Sequence, residues 1–238
     1  MLTFLRKIRR SLIQSGSTRK YLIYAIGEIA LVVLGILIAL QINNWNEQRK
    51  QDSIEEKLLL GIKENILKNI DYLDEEILRN RTLMNSSEIA LNALDRDLPH
   101  HDSLDIHFAR SSRIWKISFP RASFETLKSE GLRLISSKEL RERIINLYEM
   151  EYSLLERFTE KKGDDFSSTI LFPSFMKHFR LGFGLGIPND FERLKSDNEF
   201  KNILYHGINT RWEIISKSEA VISESKFIVG QINQELAN

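Results

Sequence analysis

Between Tyr21 and Leu40 the chain runs YLIYAIGEIALVVLGILIAL, a stretch whose only charge is Glu28. At about 1.5 Å per residue a helix of this length spans roughly 30 Å, the thickness of a bilayer's hydrocarbon layer. The run therefore predicts one transmembrane helix over 21–43. A cleaved signal sequence fits less well, because its apolar core is about 7–15 residues long and ends at small residues. This run instead passes into Gln41-Ile42-Asn43-Asn44-Trp45-Asn46.

Beyond Trp45 the pattern becomes amphipathic. Ile54, Leu58, Ile62, Ile66, Ile70, Leu73, Ile77 and Met84 recur mostly every fourth residue, with charged and amide residues between them. That spacing predicts a helix from about 46 to 94, and no proline before Pro99 separates it from the membrane helix. A second helix is expected over Ser103 to Ile117, and a short helical piece over Ala122 to Glu130, stopped by Gly131. Ser136-Ser137-Lys138-Glu139 reads as a capping box that opens a third long helix near Ser137. Leu140, Ile144, Leu147, Leu154 and Phe158 form its stripe, and Pro173 is expected to break it before about Phe179.

The glycine-dense segment Leu181 to Asp190 reads as a loop. A second capping box, Ser196-Asp197-Asn198-Glu199, opens a final helix with the stripe Phe200, Ile203, Leu204, Ile208, Ile215, Ile222, Ile228 and Ile232. The expected fold class is all-α: a single N-terminal transmembrane helix extended into an antiparallel bundle of long helices. Its parts are a basic tail at 1–20, the membrane helix at 21–43, and a helical-bundle domain at 44–238.

Charge orients this arrangement. The formal net charge of +1 conceals Arg6, Lys7, Arg9, Arg10, Arg19 and Lys20 in a tail without acids, so the remainder is net acidic. Basic residues before the helix and mixed charges after it place the N-terminus in the cytoplasm and the body outside. An acidic body also argues against nucleic-acid binding. Tyr21 and Tyr24 at one end of the span and Trp45 at the other suit the two membrane interfaces. Leu2, Leu5, Ile8, Leu12 and Ile13 recur at helical spacing, so the tail either lies on an anionic leaflet as an amphipathic helix or serves only to set topology. The chain has no cysteine, which removes disulfides, thiolate chemistry and a lipid-anchored cysteine.

The candidate chemistry is sparse. A carboxylate at membrane depth is costly, about 2.5–3.5 kcal/mol near the bilayer centre and less towards an interface. At about 100° per residue, Tyr24, Gly35, Ala39 and Ile42 fall within about 40° of Glu28. Gly35-x-x-x-Ala39 adds a small-residue groove on that face, the type of surface on which transmembrane helices pair. Two other readings remain: Glu28 snorkels or stays neutral in lipid, or it relays protons in a stator-like, motor-associated complex. His100, His101, Asp102, Asp105 and His107 form the one metal-like cluster, with His101 and Asp105 as the pair expected to share a face, and an ordinary solvated loop as the alternative. Gly182, Gly184 and Gly186 do not match a phosphate-binding loop. Trp115 and Phe119, flanked by Arg113, Lys116 and Arg121, read as core with a solvated basic rim, with a partner-binding corner as the alternative.

Two blocks, FLRKIRRSLIQSGSTRKYLIYAIGEIALVVLGILIALQINNWNE and FETLKSEGLRLISSKELRERIINLYE, together resemble an uncharacterised family of single-pass membrane proteins common in Bacteroidota, a domain of unknown function. The resemblance implies a Gram-negative inner-membrane location and a helical periplasmic body. It supplies no catalytic residues, and it directs attention to Glu28, Asn43, Asn44, Trp45 and Asn46. The expected function is a non-enzymatic inner-membrane scaffold, assembly or accessory subunit, without cofactor or metal, that meets lipid and either a second copy of itself or another inner-membrane protein. A periplasmic sensor, the stator-like subunit using Glu28 and a metal-dependent enzyme are the alternatives.

Overall fold

The computed structural model describes residues 18–114 and 116–237, without the side chains of Thr18, Lys20, Tyr21, Lys162 and Asp164. The fold is all-α with one small hairpin. Helix α1 runs unbroken over Thr18–Asp95, and the chain divides into two compact units between Ile54 and Glu55. In the first unit α1 is long and apolar enough to cross a membrane, and none of its most apolar window is buried. Leu31, Val32, Leu34, Ile36, Leu37 and Ile38 all stand exposed.

In the second unit, α1 from Glu55 onward packs in a three-helix bundle with two later helical stretches. One comprises α4 (Lys138–Asn146), α5 (Tyr152–Phe166) and α6 (Phe172–His178). The other is α8 (Asn198–Glu235). Directions follow from the pairs that meet. Ser136 bonds both Glu55 and Glu235 at one end, Arg81 pairs with Glu219, and Lys201 pairs with Asp95 at the other end. Thus α8 is antiparallel to α1, while Tyr148 reaching Asn65 sets α4–α5 parallel to it. Ile62, Ile66, Ile70 and Leu73 of α1 meet Leu140, Ile144 and Leu147, together with Ile222, Ile228 and Ile232, in one apolar core. Each of these side chains gains roughly 1.5–3 kcal/mol on burial.

The third long helix departs from its expected stripe. Leu147–Glu151 and Ser167–Leu171 are π-helical turns that join α4 to α5 and α5 to α6 without interruption. Such a turn widens the hydrogen bond to i→i−5 and admits one extra residue, so the buried face advances by one. Tyr148, Tyr152, Leu155 and Thr159 are buried, and Leu154, expected on the stripe, is 49% exposed. Nor does Pro173 break the helix. It sits in the first turn of α6, and the Phe172 N–H reaches Ser167 O just before it. Proline's missing N–H and its clash with the carbonyl four residues back are thereby taken up in a turn that is already wide.

Both capping boxes shift by one residue as well. Ser137 Oγ accepts from Leu140 N, and an Asp197 carboxylate oxygen accepts from Phe200 N, so Ser136 and Ser196 are not the caps. The second expected helix is shorter, a 3₁₀ turn Asp102–Leu104 followed by α2 (Asp105–Ser111). Residues 116–121 are instead a non-helical strap whose backbone is satisfied by side chains. Ile117 N donates to Thr159 Oγ1, Phe119 N to Glu156 Oε1 and Ser118 N to Tyr72 Oη, and Arg121 also pairs with Glu156. The strap leads into α3 (Ala122–Glu130), which ends at Gly131 as expected.

The segment expected as a loop contains an antiparallel hairpin, β1 (Phe179–Gly182) and β2 (Leu185–Pro188). Phe183 and Gly184 turn it with φ of 51° and 78°, the positive pair that a two-residue hairpin requires. A side chain at Gly186 would stand 2.9 Å from Ala109 N, so this glycine lets β2 lie directly on α2. Short α7 (Phe191–Lys195) follows. It closes a second core in which Phe108, Phe175, Phe179, Phe191 and Phe200 cluster.

Candidate functional site

The predicted membrane stripe is open in this structure. Glu28, Gly35 and Ala39 are exposed and Tyr24 is half-buried, and a side chain placed at Gly35 would meet nothing within 4 Å. Trp45 is exposed, with the Arg49 guanidinium 5.4 Å from its ring. Asn43, Trp45 and Asn46 join Ala39 and Ile42 in a shallow surface groove, and Asn44 is exposed. Arg19 is exposed; Arg6, Lys7, Arg9 and Arg10, with the tail's apolar stripe, lie outside the described residues, as do Trp115 and the side chains of Lys20 and Tyr21.

The histidine cluster disperses. His100 Nε2, rather than His101, meets Asp105 Oδ1 at 2.9 Å. His101 Nδ1 caps the 3₁₀ turn by accepting from Ser103 N, and His107 Nδ1 bonds Ser86 Oγ at 3.2 Å. Among the described residues no three potential metal ligands gather.

What sequence reasoning did not foresee is a polar seam inside the bundle. Asn65, Asn69, Glu76, Asn80, Ser86 and Ser87 of α1 are buried, as are Arg211, Ser218 and Ser225 of α8. The signal was present, since residues 65, 69, 76 and 80 are separated by four, seven and four, and 211, 218 and 225 by seven. These intervals keep polar groups on the core face. Tyr148 Oη donates to Asn65 Oδ1 at 2.6 Å, and Tyr152 Oη shares a 3.5 Å contact with Ser225 Oγ. Asn69 Oδ1, Glu76 Oε2 and Ser218 Oγ are buried without a hydrogen-bond partner among the described residues. Burial raises the pKa of Glu76 despite Arg79 beside it.

Beside the seam lies a cavity of about 40 Å³ lined by α1, α2, α5 and α8. Arg211 forms part of its wall and is only 6% exposed. Its Nη2 donates to Ser111 O at 3.2 Å and Arg113 O at 2.8 Å, carbonyls at the C-terminal end of α2 where the helix dipole is negative. Among the described residues no carboxylate pairs with this guanidinium. Burial pulls its pKa down to about 10, so it remains a cation at neutral pH. Asn80, Thr159, Thr210 and Arg113 complete the polar part of the wall, and Leu83, Ile114, Phe166, Leu171 and Ile214 the apolar part. A side chain at Gly207 would come within 2.8 Å of Arg211 Nη1, so that glycine lets the guanidinium lie back against its own helix.

Residues 28–173, from the acid of the apolar helix to the proline after the second π turn, match the model of a family described as a family of unknown function (DUF6090). No curated protein and no solved structure matches the chain.

Proposed function

We propose a non-enzymatic, membrane-anchored role for this chain, which belongs to the family of unknown function (DUF6090). α1 anchors it in a bacterial inner membrane, with the basic tail cytoplasmic and the bundle periplasmic. It works as a scaffold, assembly or accessory subunit by binding a second copy or another inner-membrane protein. The observation that carries this reading is the wholly unburied apolar run of α1, with Glu28, Gly35 and Ala39 sharing one of its faces. Lipid satisfies the apolar surface but not a carboxylate, and a neighbouring helix satisfies both. The dispersal of the histidines leaves the metal-enzyme alternative without a ligand set among the described residues.

Co-purification in mild detergent tests the role. Glu28→Gln and Gly35→Leu should reduce recovery of the partner or oligomer, whereas Val33→Leu, on another face, should not. Equal recovery from all three defeats the reading. Protease added to intact spheroplasts tests the topology, and it should digest the C-terminal body without lysis.

A further inference from the structure

The Arg211 cavity goes beyond that role, and it does not depend on what meets the membrane helix. We propose that it is a binding site for a short monocarboxylate whose carboxylate meets the Arg211 guanidinium and whose alkyl group lies against Leu83, Ile114, Phe166, Leu171 and Ile214.

A guanidinium carries five N–H donors in a fixed planar fork. Nη2 spends its two on Ser111 O and Arg113 O. No acceptor among the described residues meets Nε or Nη1. Two neutral carbonyls do not neutralise a buried cation, and a buried charge without a counter-ion is expensive. Three of the other polar groups around the cavity are already engaged, while Thr210 and the exposed Arg113 stand at its wall. Thr159 Oγ1 accepts from Ile117 N and donates to Glu156 O. Ser111 Oγ donates to His107 O, and Asn80 Nδ2 donates to Glu76 O. The demand left unmet by the buried Arg211 guanidinium is for one anionic acceptor.

The walls choose the class of anion. One buried cation with mainly aliphatic and aromatic surroundings matches a single carboxylate on an apolar stub better than a polyanion, which would have to bury further charge against apolar walls. A space of about 40 Å³ corresponds to about three waters at 10–15 Å³ each, which limits the ligand to an acid of about two or three carbons. The π turn Ser167–Leu171 places Leu171 in the wall, and such turns recur at functional sites.

The purely structural alternative is that Arg211 only caps the end of α2. Thermal unfolding of the full chain in detergent micelles separates the two, with sodium propionate compared against sodium chloride and sodium phosphate at equal ionic strength. Saturating propionate should raise Tm by about 5 °C over both controls, as ligand linkage predicts at about 100 times Kd. Arg211→Gln should abolish the shift. If that variant does not fold, Thr210→Leu decides, because it fills the cavity while leaving Arg211 and its carbonyls intact. It should unfold near the wild-type temperature and ignore propionate. No shift in the wild type, an equal shift with chloride or phosphate, or a shift that persists in Thr210→Leu overturns the proposal.

Discussion

Tyr148 Oη donates to Asn65 Oδ1 at 2.6 Å in the middle of the bundle, with both residues buried. The bond ties α1 to the first π turn. The Tyr148 ring stacks on Phe124 at 4.5 Å and meets Tyr152 edge-on at 5.1 Å, while Tyr152 stacks on Phe119 at 4.0 Å. Strap, short helix and π turn are thus held by one aromatic ladder with a polar rung at its base. Tyr148→Phe keeps the rings and strands the Asn65 amide oxygen, a loss of about 1–3 kcal/mol. Adding Asn65→Leu to that variant should recover part of the loss, because no buried acceptor is then left unpaired. Urea denaturation of the four members of the cycle checks this, and additive losses would show that the two groups are uncoupled.

The π turns predict an unusual contrast between adjacent leucines. Leu155 is 2% exposed and Leu154 is 49% exposed. Leu155→Ala should cost about 2–5 kcal/mol through lost burial and a cavity, and Leu154→Ala no more than about 0.5 kcal/mol. Equal costs by chemical denaturation would mean that α5 follows the uninterrupted α-helical phase.

That contrast also marks where the sequence was readable. Ile62, Ile66 and Leu73 repeat at a helical period over many turns and are buried as expected, because a long stripe averages out local exceptions. A one-residue widening has no period of its own, so the phase error at Leu154 could not be seen from spacing. The caps moved by one for a related reason: Ser136 and Ser137 are both competent, and Glu55 and Glu235 claim Ser136 from elsewhere in the chain. The hairpin was hidden because Gly182, Gly184 and Gly186 depress strand propensity, and its stabilisation comes from lying on α2. The polar seam is hidden in the sequence because Asn65, Asn69 and Glu76 look like ordinary solvent-facing residues apart from their intervals of four and seven. Arg211 looks equally ordinary, and its partners are carbonyls at the end of α2, about a hundred residues earlier, which no local spacing reveals.

Two histidines predict loss of stability in acid. Burial lowers the pKa of His178, outweighing Asp197 at 3.3 Å and Glu199, with Lys177 and Arg193 acting in the same direction as burial. Burial also lowers that of His107, with Arg110 adding to it. A lowered folded-state pKa means that the unfolded chain binds protons first as pH falls, so stability drops from about 6.5 downwards through the folded-state values. Tm should therefore fall between pH 7.5 and 5.5, and His178→Gln should reduce the fall. A pH-independent Tm over this range, or an unchanged slope in the variant, contradicts the assignment.

Glu76, in the polar seam, predicts the opposite slope. It is 5% exposed, its Oε2 has no partner among the described residues, and its Oε1 lies 3.4 Å from Arg79 Nε. Burial dominates and raises its pKa above the ordinary 4.5. The folded state then holds the proton to higher pH than the unfolded state, so stability declines as pH rises from about 4.5 through the raised value, and the cost persists above it. Glu76→Gln preserves shape and removes the charge. Its Tm relative to wild type should be greater at pH 7 than at pH 4, where the wild-type carboxyl is protonated too. If the difference is the same at both pH values, Arg79 fully neutralises the buried carboxylate and the seam carries no net electrostatic cost at this position.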